Sequence, residues 1–228
     1  MTVLHVVRVF CGPDGRGGNP LGVFVDHGYT DPAVQQAIAT ELGFSETVFV
    51  ESIDDGVARI RIYTPAVEMP FAGHPTVGTS WLLASMGRPP NTIRVPAGDV
   101  ATWQSDGLTW VRARGEWAAG AIDPHRFATP AEVDALGPDA TPDGTLYAWA
   151  WADEEAGIVR SRFFAASFGI PEDEATGLAA VAMGAMLGRP ITIRQGVGSE
   201  LYVRPDRDVG TVAVGGRVEP IEVRDYHR

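Results

Sequence analysis

Three ionisable side chains stand where acid–base chemistry could occur: Glu46, His74 and Asp173. Glu46 opens a predicted strand whose later residues, 48–50, are apolar, so its carboxylate could be held against the core and carry a proton near neutral pH. The alternative is a solvated carboxylate at a strand end. His74 and Asp173 each precede a predicted helix, where a histidine can also be a capping or core group and an aspartate can simply stabilise the helix dipole.

The composition excludes several other kinds of chemistry. All 18 cationic side chains are arginine, so no lysine can form a Schiff base, act as a general base or complete a phosphate-binding loop of the Walker type. Cys11 is the only cysteine, which excludes an intrachain disulfide and a cysteine-rich zinc or iron–sulfur site. The sequence also lacks a nucleophile elbow and histidines with metal-ligand spacing. We therefore expect acid–base chemistry without a metal.

The charge balance bears on the partners. The 228 residues carry a formal net charge of −11, which argues against a nucleic acid or an anionic membrane as partner. A small anionic substrate remains possible if local dipoles outweigh the overall field. The first ten residues resemble a strand rather than a signal peptide, and prolines interrupt the longest uncharged stretch, 69–87. We expect a cytoplasmic protein without membrane segments.

The elements around these residues are short. Asp31-Pro32 starts a helix that ends at Gly43, and strands are predicted over 46–51 and 58–64. Asp106-Gly107 predicts a hairpin turn, and Thr129 begins a capping box. Near the carboxyl end, two separate strands are predicted at 211–214 and 217–223. Many strands and few helices indicate an α+β protein with antiparallel or mixed sheets.

The sequence also resembles itself. An uncharged helix near 75–87 is followed by Gly-Arg-Pro and then Thr-Ile-Arg, and a second uncharged helix near 176–188 is followed by the same two motifs about one hundred residues later. This repeat predicts two similar halves, 1–120 and 121–228. A chance similarity in a chain rich in alanine, glycine and arginine is the alternative.

The two helices lack a polar side. Because a helix that is apolar all round must be enclosed, we expect each half to be a curved sheet wrapped around one central helix. If the halves are similar, the two amino ends could face one shared cleft. Their unpaired N–H groups and partial positive charges would then attract a small anion, with His74 and Asp173 at equivalent entrances.

Five motifs stand in the order typical of the PhzF-like phenazine-biosynthesis isomerases, which the chain resembles over nearly its whole length. They lie at residues 18–21, 44–50, 71–75, 169–177 and 195–196. The resemblance implies the diaminopimelate-epimerase-like fold: two pseudo-symmetric α+β halves, each a sheet around a central helix, with the site between them. It also implies a homodimer.

The resemblance further implies roles for individual residues. Glu46 would be the acid–base residue, and His74 and Asp173 would hold and polarise the substrate. The implied substrate-binding set is His74, Asp173, Gly73, Gly177, Leu178, Ser45 and Asn19. By the same resemblance, Gly73 and Gly177 match the positions at which related epimerases carry cysteines, so racemisation by two thiols is not available. The implied reaction is a cofactor-free isomerisation like that of trans-2,3-dihydro-3-hydroxyanthranilate.

Some positions depart from the family pattern. Leu178 replaces a serine, Glu174 replaces a proline and adds a negative charge beside the anion site, and an arginine expected after 195–196 is missing. These departures keep two alternatives open. One is a non-catalytic binder of small anions or an assembly module on the same fold. The other is a residual epimerase or racemase with Glu46 and Asp173 as opposed bases.

Overall fold

The chain is described by a computed structural model over residues 2–141, 144–168 and 170–227. Gly169, which belongs to one of the quoted motifs, lies outside these ranges. The helices are α1 (Pro32–Leu42), α2 (Gly73–Ser85), α3 (Pro130–Asp134) and α4 (Gly177–Leu187). The strands are β1 (Thr2–Cys11), β2 (Gly17–Phe24), β3 (Glu46–Asp54), β4 (Val57–Tyr63), β5 (Glu68–Met69), β6 (Thr92–Val95), β7 (Gly98–Ser105), β8 (Leu108–Arg114), β9 (Pro124–Arg126), β10 (Thr145–Asp153), β11 (Ile158–Ala165), β12 (Ile170–Asp173), β13 (Ile191–Gln195), β14 (Ser199–Asp206) and β15 (Thr211–Tyr226).

The two sets of elements repeat one topology. In the first, β3 and β4 form a hairpin, β5 pairs antiparallel with β4, and after α2 the strand β6 returns parallel to β4. In the second, β10 and β11 form the hairpin, β12 pairs antiparallel with β11, and after α4 the strand β13 returns parallel to β11. The predicted α+β fold with two pseudo-symmetric halves is therefore confirmed.

The sheet curves around the first central helix. Strands β1, β2, β3, β4, β6, β7, β8 and β15 pair in this order, and β15 also pairs with β1, which closes the set into a ring. Ten of the 13 residues of α2 are buried inside it. Since β15 comes from the end of the chain and also pairs with β14, the sheet is continuous between the sets. The division at residue 120 stays a prediction.

The second central helix, α4, is enclosed less completely, since no pairing among the described strands closes the second set into a ring. It packs against β14 and β15, and a side-chain carbon added at Gly184 would lie 2.6 Å from Val203 and Val212. Six of its 11 residues are buried, as a helix without a polar face requires, while Met186 near its carboxyl end is 48% exposed. None of the helices in the described ranges has the length and apolar character needed to cross a bilayer.

Several local predictions are confirmed in detail. Asp31 caps α1 through a hydrogen bond from the amide of Ala33, and Gly43 ends the helix at φ 69°. Asp106 and Gly107 both adopt positive φ in the turn between β7 and β8, as this hairpin requires. Thr129 forms both bonds of the predicted capping box of α3.

Two predictions about elements are wrong. Helix α2 begins at Gly73 and not near residue 75, so His74 lies inside its first turn; Pro75 is tolerated there because a first-turn amide has no partner within the helix. The strands predicted at 211–214 and 217–223 are one strand, β15. Gly215 and Gly216 do not break it. They make room for the rings of Trp110 and Phe10, each 2.4 Å from where an added side-chain carbon would lie.

Candidate active site where two helix ends meet

The amino ends of α2 and α4 touch each other. A side-chain carbon built on Gly177 would lie 2.5 Å from the backbone nitrogen of His74, and one built on Gly73 would lie 2.9 Å from the Cα of Gly177. Only glycine at both positions permits backbone contact this close, because a side chain at either one would clash. The expectation that the two amino ends share one cleft is thus met by direct backbone contact.

A cavity of about 90 Å³ lies beside this contact. Residues of both central helices and of the strands that precede them line it. The lining residues are Glu46, Thr64, Met69, Ala72, Gly73, His74, Ala121, Ile122, Phe163, Ala165, Ile170, Asp173, Thr176, Gly177 and Leu178. Six of the predicted site residues are therefore brought together: Glu46, His74, Asp173, Gly73, Gly177 and Leu178.

Glu46 and His74 form a buried pair at the cavity wall. His74 Nδ1 lies 2.8 Å from Glu46 Oε2, and His74 Nε2 lies 3.0 Å from the carbonyl oxygen of Asn19. A carbonyl oxygen only accepts, so Nε2 must carry a proton. The other nitrogen therefore either donates to the Glu46 carboxylate or accepts from the Glu46 carboxyl. One proton can move along this bond without any change in the net charge of the pair.

The surroundings favour the imidazolium form of His74. Burial alone would lower the pKa of this histidine, which is 2% exposed. The charge and hydrogen bond of Glu46, the charge of Asp173 and the Asn19 carbonyl together outweigh burial, so the pKa of His74 is raised above its ordinary value of 6.5. The contacts of His74 thus favour its imidazolium form beside Glu46.

Asp173 receives hydrogen bonds from several sides. Asn19 Nδ2 donates to Oδ1 at 2.5 Å and Thr176 Oγ1 donates to Oδ2 at 2.6 Å. Ser45 Oγ lies 3.3 Å from Oδ1 and 3.1 Å from Asn19 Oδ1. Burial, and then the charge of Glu46, raise the pKa of Asp173 to about 7 against these donors. Asp173 can thus both hold and release a proton near neutral pH.

Asn19 and Ser45, predicted to bind substrate, occupy a different position from the other predicted residues. Neither is among the described residues that line the cavity; both lie behind it and hydrogen-bond to Asp173. Asn19 is 2% exposed and joins the two sides of the site, since its carbonyl accepts from His74. The geometry gives these two residues contacts to the ionisable groups rather than to the cavity.

The environment of Glu174 corrects the expectation of an extra charge at the anion site. Its carboxylate accepts from the amide of Val197 at 2.9 Å and from Ser199 Oγ at 2.9 Å, and it is absent from the described lining of the cavity. Ser199 Oγ in turn accepts from the amide of Gly18 at 2.8 Å. Glu174 therefore connects the turn before β14 with the start of β2 through the hydroxyl of Ser199.

Sequence reasoning missed two buried polar residues, Gln195 and Thr176. Both stand within motifs of the family pattern, yet no role was assigned to either of them. Gln195 is 1% exposed and bonds to both the backbone and side chain of Thr176. The polarity of Gln195 on a strand that is otherwise apolar on its buried side is the signal that could have drawn attention to it.

The far wall of the cavity is apolar. Met69, Ile122, Phe163 and Ile170 form it together with Leu178. No arginine is among the described lining residues, so His74 is the only cationic side chain facing the space. Within the described chain, no group of three or more histidine, cysteine, aspartate or glutamate side chains is arranged to hold a metal ion.

Comparisons with known proteins agree with this architecture. The family model for phenazine biosynthesis-like proteins matches residues 7–105. A trans-2,3-dihydro-3-hydroxyanthranilate isomerase from Pseudomonas aeruginosa is 31% identical over 257 aligned positions, covering 90% of this chain and 89% of the relative. A phenazine biosynthesis protein of the PhzF family from Enterococcus faecalis superposes with a TM-score of 0.80 at 19% identity, covering 100% of this chain and 99% of that chain. A probable proline racemase from Agrobacterium radiobacter shares the fold at a TM-score of 0.67 and 12% identity, covering 100% of this chain and 93% of the other.

Proposed function

Since the chain belongs to the phenazine biosynthesis-like protein family and is an isomerase, we propose that it moves one proton between two carbon atoms of a small carboxylate-bearing substrate, with Glu46 as the acid–base residue. The observation that carries this proposal is the Glu46–His74–Asn19 chain of hydrogen bonds at the cavity wall. It holds the Glu46 carboxyl group in place beside a largely apolar cavity, which is what general acid–base catalysis needs.

The proposed reaction keeps every atom of the substrate. Glu46 Oε1, the oxygen not bonded to His74, takes a proton from a carbon of the substrate. The electron pair of that C–H bond moves into the adjacent unsaturated system. Glu46 then donates a proton to a second carbon, and the isomer leaves. Exchange of the Glu46 proton with solvent between the two transfers introduces deuterium when the reaction runs in heavy water. Through its bond to Oε2, the His74 imidazolium stabilises Glu46 as a carboxylate before and after the two transfers.

The helix ends would bind the acidic group of the substrate. The first-turn amides of α2 and α4 have no partner within their helices and carry partial positive charge, so they favour a carboxylate and the negative charge that develops during proton removal. The apolar wall with Met69, Phe163 and Leu178 would hold the carbon skeleton. We therefore propose a substrate with one anionic end and a compact apolar body, either a small ring or an amino acid.

A second candidate, epimerisation, is favoured by one observation. Asp173 lies on the α4 side of the cavity with a pKa of about 7, so it can serve as a second base opposite Glu46. The two reactions differ in their products. Isomerisation moves a double bond, whereas epimerisation inverts one carbon and leaves the bonding unchanged.

The test is a screen in heavy water that reads carbon-bound deuterium by NMR. Its panel contains trans-2,3-dihydro-3-hydroxyanthranilate, small cyclic carboxylates and chiral amino acids. Replacing Glu46 with Gln should lower exchange by about two to four orders of magnitude, because the only group proposed to shuttle the proton is lost. Glu51, exposed on the same strand β3, provides the matched control, and Glu51→Gln should keep wild-type exchange. Undiminished exchange in Glu46→Gln would reject Glu46 as the acid–base residue.

A further inference from the structure

We propose that Gln195 is a positioning residue: it fixes the direction of the Thr176 hydroxyl and so keeps a hydrogen-bond donor on the Asp173 carboxylate. Its relevance to turnover rests on the proposed function, because Asp173 lines the proposed substrate cavity and is the second candidate base there. The hydrogen-bond arrangement itself is independent of any substrate.

The Gln195 side chain directs all of its hydrogen bonds to one turn. Its Nε2 donates to the carbonyl oxygen of Asp173 at 2.9 Å and to Thr176 Oγ1 at 2.8 Å, and its Oε1 accepts from the amide of Thr176 at 3.2 Å. A carbonyl can only accept and an amide N–H can only donate, so the orientation of the Gln195 amide group is determined by its neighbours.

The orientation of Gln195 determines that of Thr176. A hydroxyl has one proton and accepts through its lone pairs. Because Thr176 Oγ1 accepts from Gln195 Nε2, its proton remains for Asp173 Oδ2, 2.6 Å away. Without Gln195 the hydroxyl could turn and accept a bond from a protonated Asp173 instead. By occupying one lone pair of the hydroxyl, Gln195 therefore favours the arrangement in which Thr176 donates to Asp173 and stabilises its ionised form, although Gln195 touches Asp173 only through the backbone.

This selection matters because the other influences on Asp173 oppose ionisation. Burial and the nearby charge of Glu46 raise its pKa to about 7, while the hydrogen bonds from Thr176 and Asn19 and the charge of His74 lower it. The ionisable groups facing Asp173 come from three elements: Glu46 on β3, His74 on α2 and Tyr147 on β10. None of them touches Gln195 in the described hydrogen bonds, so replacing Gln195 leaves them in place.

The experiment measures the titration of Asp173 in the free protein. The side-chain carbon of Asp173 is followed by NMR in protein labelled with ¹³C-aspartate and assigned with Asp173→Asn. Gln195→Met, which keeps the length of the side chain and removes its amide, should raise the pKa of Asp173 by about one unit, the usual size for loss of a charge-stabilising hydrogen bond. Gln104→Met, the same change at an exposed position on β7, should shift nothing.

A double-mutant cycle separates positioning from mere packing. Thr176→Val should itself raise the pKa of Asp173, and adding Gln195→Met to Thr176→Val should then have no further effect. Thr176→Ser keeps the hydroxyl and should retain the wild-type value. An unchanged pKa in Gln195→Met, or an equal shift with and without the Thr176 hydroxyl, would overturn the proposal.

Two safeguards keep the outcome decisive. If Gln195→Met does not fold, the Thr176→Val and Thr176→Ser pair decides, because an unchanged pKa in Thr176→Val contradicts the proposed route. Failure of the proposed function is recognised separately: Glu46→Gln would retain deuterium exchange while the titration of Asp173 still depended on Gln195. Where both hold, the pH profile of exchange should move with the pKa of Asp173 in Gln195→Met.

Discussion

The carboxyl group of Asp173 links stability to pH at the scale of a single residue. In the unfolded chain it loses its proton near 3.8, whereas in the folded protein its pKa is about 7, chiefly because it is buried. Between these values the folded state binds more protons at Asp173, so the contribution of this residue to stability falls as pH rises from about 4 to 7. His74 acts in the same direction, since its raised pKa gives stability that is lost as pH rises through the folded value.

Replacing Asp173 with Asn should remove most of this pH dependence. The asparagine keeps the shape of the side chain and cannot titrate. Between pH 5 and 8 the free energy of unfolding of the variant should therefore fall by a few kcal/mol less than that of wild type, given about 1.4 kcal/mol per pH unit. Urea unfolding at the two pH values measures the difference. Asp208→Asn, at an exposed turn position, should behave like wild type. The same pH slope in Asp173→Asn and wild type would show that another group binds the proton.

The residues that act alone were easier to predict than those that act through partners. The pattern singled out Glu46 and Asp173 as candidates, because a carboxylate beside an apolar run or a helix start is chemically conspicuous, but their roles come from the resemblance and stay predictions. Gln195 offered a weaker signal, its polarity on an apolar strand face, and a buried amide becomes informative only when its partners, here Thr176, are known. The bond between Asn19 and Asp173 joins residues 154 positions apart, a contact that one sequence cannot display.

At the scale of elements, the contact between the two central helices is the most demanding feature. A methyl group on Gly177 would lie 2.5 Å from the backbone nitrogen of His74, and a backbone atom cannot move aside as a side chain can. Because φ at Gly177 is not in the left-handed region, alanine there meets no backbone strain, and the whole effect is steric.

Gly177→Ala should therefore destabilise the protein by roughly 1–3 kcal/mol, the usual cost of overpacking. It should also reduce deuterium exchange strongly, because separating the helix ends displaces Asp173 from Asn19. Thermal unfolding and the exchange assay measure the two effects. Gly28→Ala is the matched control, since an added carbon there meets nothing within 4 Å. Wild-type stability in Gly177→Ala would mean that the helix ends can part freely.

The elements show where pattern reasoning succeeds and where it fails. The uncharged faces of α2 and α4 predicted enclosure because no solvent-facing side was available, and that physical constraint is independent of the partner elements. The start of α2 was misplaced because Pro75 resembles a boundary although it suits the first turn. Strand β15 was divided in two because Gly215 and Gly216 suggest a turn, while their actual partners, Trp110 and Phe10, are distant in sequence.

At the scale of the whole molecule, strand β15 from the last part of the chain completes the ring of strands formed by the first part. Residues 217–226 of β15 pair with β1 and residues 211–216 pair with β8, so the ring around α2 closes only through a strand contributed by the last part of the chain. Asn19 from β2 and Asp173 from β12 then meet across the site. The repeat in the sequence predicted two similar halves, but it could not predict that one strand would serve both.

The net charge of the protein leads to the last prediction, which concerns the association of the substrate with the site. A formal net charge of −11 surrounds a cavity whose proposed ligand is an anion. The field of the whole molecule therefore opposes encounter, while the helix ends act only within about one turn. Raising the ionic strength from about 0.01 M to about 0.15 M shortens the screening length from about 30 Å to about 8 Å. The long-range repulsion should weaken far more than the attraction inside the buried site.

We expect kcat/KM for an anionic substrate to rise several-fold over this range while kcat stays nearly constant, as measured by steady-state kinetics in sodium chloride. A neutral member of the same panel should show no dependence on salt. A fall in kcat/KM of the anionic substrate with salt would contradict this prediction and would mean that local attraction at the helix ends and His74 outweighs the repulsion by the overall charge.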